Sequence, residues 1–100
     1  MDDFKHILRK PNNIELIKTF TNHPNQWMNR KILFHLNNKP YHSNSYRANV
    51  VQLQQENVLK RKQVSQSGRA NREMRYKLNT YSNKPKKLLE KIKSRAPDSN

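Results

Sequence analysis

Residues 73–78 read Glu-Met-Arg-Tyr-Lys-Leu, with an apolar side chain at every second position. That period of two belongs to a strand, which sends Met74, Tyr76 and Leu78 to one face and the charges to the other. A strand needs a partner, and residues 58–64, Val-Leu-Lys-Arg-Lys-Gln-Val, can alternate in the same way. Between the two runs, residues 65–71 are turn-like and contain the chain's only glycine, Gly68, which permits a tight reversal. The C-terminal half therefore predicts a β-hairpin with a long basic tip, and the remaining chain must cover its apolar side.

Upstream, the spacing is helical. Phe4, Ile7 and Leu8 sit at i, i+3 and i+4, predicting an N-terminal arm or short helix over residues 1–11 that ends before Pro11. Asn12 and Glu15 have capping-box spacing, which predicts a helix to about Thr21 with Ile14, Leu16, Ile17 and Phe20 on its apolar side. Gln26-Trp27-Met28 suits one short strand, with Trp27 sealing a small core. Asn29 caps a helix from Arg30 to about Leu36 whose Ile32, Leu33 and Leu36 face inward. Ser43, Asn44 and Ser45 offer caps for a third helix to about Glu56, buried along Tyr46, Val50 and Leu53. Asn57 follows where a left-handed residue closes many helices. Pro85 suits the first turn of a basic amphipathic helix over residues 84–94, and residues 95–100 read as a disordered tail. The fold class is mainly α with a small β-sheet (α+β).

A chain of 100 residues makes one small domain, without the large cleft that many enzymes need. It contains no cysteine, which excludes disulfides and thiolate metal sites. The four histidines lack paired-ligand spacing, and the acids are few and scattered. No metal, no cofactor and no catalytic function are expected. No apolar run approaches a membrane span, and Met1-Asp2-Asp3-Phe4 puts acids where an export signal carries bases. The expected compartment is the cytoplasm, on the nucleoid for a prokaryotic or viral protein.

The net charge is +14, of which residues 57–95 carry +11. Such a chain repels itself, and a polyanion relieves the repulsion. Nucleic acid is the leading partner class, with an anionic membrane surface or an acidic protein behind it.

The order helix, short strand, helix, turn, helix, basic hairpin resembles the winged helix-turn-helix family of DNA-binding domains. The resemblance spans residues 12–80 and rests on two local patterns. Tyr46-x3-Val50-x2-Leu53-x3-Asn57-Val58-Leu59 is similar to the end of a recognition helix and the first wing strand. Arg72-x-Met-Arg-Tyr-Lys-Leu78 is similar to the returning wing strand. The resemblance implies three core helices, a two-stranded wing and an added C-terminal helix. It also implies that the helix near residues 44–56 enters the major groove, presenting Asn44, Ser45, Arg47, Ala48, Asn49 and Gln52 to base edges.

Side-chain chemistry agrees. Arg47 can pair bidentately with guanine, and Asn49 and Gln52 match the donor–acceptor pair of adenine. Arg69 and Arg72 flank the hairpin tip and suit a narrow minor groove. Lys60, Lys62, Arg75 and Lys77 suit backbone phosphates. Arg30 and Lys31 at a helix start, with Tyr41, His42 and Ser43 before the third helix, are candidate phosphate anchors. Phe20, Trp27, Phe34 and Tyr46 fall on expected core faces rather than on a base-stacking platform.

The expected function is sequence-specific binding of double-stranded DNA by a small transcription or replication regulator. The alternatives are a protein-interaction winged helix docking on polymerase or replication machinery, and an RNA-binding winged helix. Phe4, Ile7, Leu8, Leu88, Leu89 and Ile92 either pair two copies into a homodimer or pack on their own domain.

Overall fold

The hairpin forms as the alternation requires. Strands β1 (Leu59–Ser65) and β2 (Arg72–Leu78) pair antiparallel, with Leu59 opposite Leu78, Arg61 opposite Tyr76 and Lys62 opposite Arg75. The protein is described here by a computed structural model covering residues 4–39, 43–65 and 72–95. Five helices accompany the hairpin among the described residues. They are α1 (Lys5–Leu8), α2 (Pro11–Asn22), α3 (Arg30–Leu36), α4 (Asn44–Gln55) and α5 (Lys84–Arg95). The architecture is α+β, as expected.

Helix α2 begins earlier than its sequence signal. Lys10 is the capping position and Pro11 the first helical residue, where a missing N–H and a preset φ are an advantage. Asn12 and Asn13 consequently lie inside the first turn, and the expected Asn12–Glu15 capping box does not form. Their amides serve tertiary contacts instead. Asn13 Nδ2 donates to the Ile7 carbonyl at 2.9 Å and to Gln52 Oε1 at 3.2 Å.

Helix α3 starts where predicted, with Asn29 Oδ1 accepting from the Ile32 amide at 2.8 Å. Its inward face differs from the expectation. Leu33 and Phe34 are buried, whereas Ile32 and Leu36 are 38% and 45% exposed. On a helix of seven residues, burying the adjacent pair 33 and 34 turns 32 and 36 outward. Phe34 gains an edge-to-face contact with Tyr46, ring centroids 5.1 Å apart.

Helix α4 follows its sequence closely. Ser43 Oγ accepts from the Tyr46 amide, and Tyr46, Val50 and Leu53 are fully buried. Asn57 adopts φ 66°, the left-handed close. The Val58 amide then returns to the Leu53 carbonyl at 3.0 Å and the chain enters β1.

The expected strand at residues 26–28 contracts to one residue. Met28 exchanges both backbone hydrogen bonds with Tyr76, at 2.8 and 2.9 Å, on the edge of β2 away from β1. Met28 is buried, so its neighbour Trp27 projects to the opposite side and stays half-buried. Trp27 does not seal the core.

One core cluster joins all the helices to the inner face of the hairpin through Leu59, Tyr76 and Leu78. It includes Ile7 and Leu8 from α1 and Leu88 and Ile92 from α5, with Phe4 packed against it and Leu89 half-buried. Of the two expected roles for these residues, the structure shows packing on their own domain. A domain this small needs its terminal helices to complete its own core, each buried aliphatic side chain contributing about 1.5–3 kcal/mol. No helix among the described residues is long and apolar enough to cross a membrane.

Candidate nucleic-acid interface

Helix α4 divides into a seam and an open face. Opposite the seam lie Asn44, Arg47, Ala48, Val51 and Gln55, all exposed, at i, i+3, i+4, i+7 and i+11. Ser45 is exposed beside them. Asn44, Arg47, Ala48, Val51 and Gln55 line a shallow depression with Gln52, and no carboxylate lies in it. Asn44, Ser45, Arg47 and Ala48 were expected there. Val51 and Gln55 were not, although the spacing that buries Tyr46, Val50 and Leu53 implies them.

Two expected base-reading residues are directed elsewhere. Asn49 is only 7% exposed, and its Oδ1 accepts from Asn12 Nδ2 at 3.2 Å. Gln52 borders the open face, but its Oε1 accepts from Lys10 Nζ at 3.1 Å as well as from Asn13. The early start of α2 brings amide side chains against α4, and burial then demands that these polar groups pair.

The same start places cations next to α4. Arg9, Lys10 and Asn12 line an open pocket with Ser45 and Ala48. Sequence reading missed Arg9 and Lys10. The available signal was two bases directly before a proline at a helix start.

The far end of α4 is clasped by Glu56. Its carboxylate meets Lys84 Nζ at 3.0 Å and His6 Nε2 at 2.9 Å, joining α1, α4 and α5. The hydrogen bonds from Lys84, then His6, hold the Glu56 carboxyl below its ordinary value.

The register of the hairpin sorts its charges. Leu59, Tyr76 and Leu78 face the helices, so Lys60, Lys62, Arg75 and Lys77 share the outer face. Lys62 Nζ lies 4.4 Å and Lys77 Nζ 5.2 Å from the Trp27 ring centroid, and Lys60 Nζ lies 4.3 Å from that of Tyr81. Arg75 differs, because its Nε pairs with Glu73 at 2.6 Å while Asn29 Nδ2 holds the other carboxylate oxygen at 3.0 Å. These bonds, Arg75 first, keep the Glu73 carboxyl below the usual range. The four cations thus lie on the face of the hairpin turned away from its buried residues.

At the start of α3, Lys31 is exposed and Arg30 half-buried, while the Ser43 hydroxyl is committed to capping α4. Tyr41, His42 and Arg69 lie outside the described residues, as do the side chain of Arg72 and the expected tail beyond residue 95. No group of three His, Asp or Glu side chains able to hold a metal ion occurs among the described residues.

No protein-family model and no curated protein matches the chain. Among solved structures it is similar to a "Possible transcriptional regulator from Methanosarcina mazei Go1", with a TM-score of 0.67 and 20% sequence identity. The likeness covers 95% of this chain and 80% of that one. At that identity it is a likeness of fold.

Proposed function

We propose that the chain is a winged helix-turn-helix regulator of transcription or replication that binds double-stranded DNA. In this reading α2, α3 and α4 are the core helices, the hairpin is the wing, and α4 enters the major groove. The observation that carries it is the open face of α4. A helix capped by Ser43 and clasped through Glu56 presents Asn44, Arg47, Ala48, Val51 and Gln55, with Arg9 and Lys10 beside its first turns. Rigid placement of a few side chains is what base reading requires.

Each residue then has a role. Arg47 pairs with guanine, Asn44 and Gln55 carry the amide pattern adenine accepts, and Ala48 and Val51 offer apolar contact to thymine methyl groups. Arg9 and Lys10 meet phosphates beside the groove and set register rather than sequence. The fold likeness to a chain described as a transcriptional regulator supports this reading. It assigns no catalytic step.

The test is selection of bound duplexes from a random pool, followed by titration against a scrambled duplex and an RNA duplex of equal length. Enrichment of one sequence, bound more tightly than both controls, is expected. The narrow major groove of A-form RNA does not admit a helix, so equal affinity for RNA and DNA duplexes overturns the reading.

A second reading has one observation in its favour. Ile32 and Leu36 form an exposed apolar patch on α3 bordered by Lys31, His35 and Lys39. Its charge suits an acidic, partly apolar protein segment. Leu36→Glu abolishing binding to an acidic partner, with duplex affinity intact, would support it.

A further inference from the structure

The outer face of the hairpin has chemistry that a duplex-reading α4 leaves unused. We propose that it is a separate site for single-stranded nucleic acid, in which Trp27 and Tyr81 stack bases and Lys60, Lys62 and Lys77 hold the intervening phosphates. The inference does not depend on what α4 binds.

Three observations carry it. The first is placement, since the Met28–Tyr76 bridge and the strand register bring Trp27, Lys62 and Lys77 to one surface from three separate parts of the chain. The second is exposure of the rings. Tyr81 is 87% exposed, in a turn held by its own amide donating to Asn79 Oδ1 while Asn79 Nδ2 donates to the Asn57 carbonyl. Trp27 is half-buried, with two ammonium groups over its ring.

The third is the state of the charges. Among the described residues Lys60, Lys62 and Lys77 have no carboxylate within ion-pair distance, whereas Arg75 on the same face is paired with Glu73. The three lysines rest on aromatic faces. An exposed cation–π contact is weak, so a phosphate readily draws the ammonium away and uncovers the ring for a base.

Unpaired bases fit this surface better than a duplex does. Duplex bases are already stacked, and the hairpin's outer face presents no helix to enter a groove. Aromatic faces interleaved with lysines match the alternation of base and phosphate along a single strand. An acidic peptide would satisfy the ammonium groups and leave both rings unused.

Trp27 is the chain's one tryptophan, so its fluorescence reports this site alone. The full chain is titrated with a short oligothymidylate, the duplex that it forms with oligoadenylate, and an abasic deoxyribose-phosphate strand of equal length. Quenching by the single strand, with much weaker quenching by the other two, is expected. The double variant Lys62→Ala, Lys77→Ala should bind the single strand at least about tenfold more weakly. Trp27→Phe should retain most of the affinity that Trp27→Ala loses, with binding followed by anisotropy and folding by circular dichroism. Equal quenching by the abasic strand or the duplex, or no loss in the lysine variant, overturns the proposal. Arg47→Ala separates the two sites. It should alter duplex discrimination and leave the oligothymidylate titration unchanged.

Discussion

Asn12 Nδ2 donates to Asn49 Oδ1 across 3.2 Å, tying the first turn of α2 to the middle of α4. That one bond makes Asn49 a fastener between α2 and α4 instead of the base-contacting residue expected from the sequence. It separates two side chains, Arg47 and Asn49, that stand two residues apart.

Substitution should expose this difference. Arg47→Ala is expected to lower discrimination between the selected and scrambled duplexes by about 1–3 kcal/mol without altering the melting temperature. Asn49→Ala should do the reverse, destabilising the fold by about 1–3 kcal/mol because Asn12 is left unsatisfied. Anisotropy titrations and thermal melts on both variants check the pair.

Salt dependence distinguishes phosphate contacts from base contacts. The logarithm of duplex affinity should fall linearly with the logarithm of salt, by about 0.9 per phosphate neutralised. Arg9→Ala and Lys10→Ala should each reduce that slope by about 1 and weaken all duplexes alike. Unchanged slopes would remove these residues from the interface.

Acid should loosen the clasp at Glu56. Its carboxyl is held below the ordinary 4.5, so the folded state binds fewer protons than the unfolded chain. The stability this adds is complete above 4.5 and is lost as pH falls through the lowered folded value. Glu56→Gln should therefore melt lower than the parent at neutral pH, and the gap should narrow in acid. Glu73 shifts in the same direction in both proteins, so the difference isolates Glu56.

Core placement of the terminal helices has a concentration signature. Leu88→Ala should cost about 2–5 kcal/mol, as expected for a buried leucine. Melting temperatures of parent and variant should be independent of protein concentration. A dimer held by these residues would melt higher at higher concentration.

The left-handed residue closing α4 offers a local check. Asn57→Gly should leave stability equal or slightly higher, whereas Asn57→Ala should cost about 1 kcal/mol at φ 66°. Chemical denaturation of both variants measures it.

Local signals were strong enough to read several features directly. The Ser43 and Asn29 caps, the left-handed close at Asn57, the buried seam of Tyr46, Val50 and Leu53, and the alternation of the hairpin depend on neighbours within a few residues. Periodicity also separates the basic face of the hairpin from its apolar face. Features that depend on which helix packs where were not legible in this way. The outward turn of Ile32 and Leu36, the diversion of Asn12 and Asn13 from capping, and the approach of Arg9 and Lys10 to α4 all arise from contacts distant in sequence.

The sequence alone determined that this protein is an α+β domain with a basic hairpin and a capped, sparsely charged helix before it. Caps and periods are written in adjacent residues and act before any tertiary contact forms. Only the tertiary structure decided that Asn49 is withdrawn from the open side of α4, that α1 and α5 complete the core, and that Lys62 and Lys77 gather around Trp27. Those outcomes follow from burial. A small core takes whatever apolar surface its helices bring, pairs the polar groups caught beside it, and leaves the remaining charges outside.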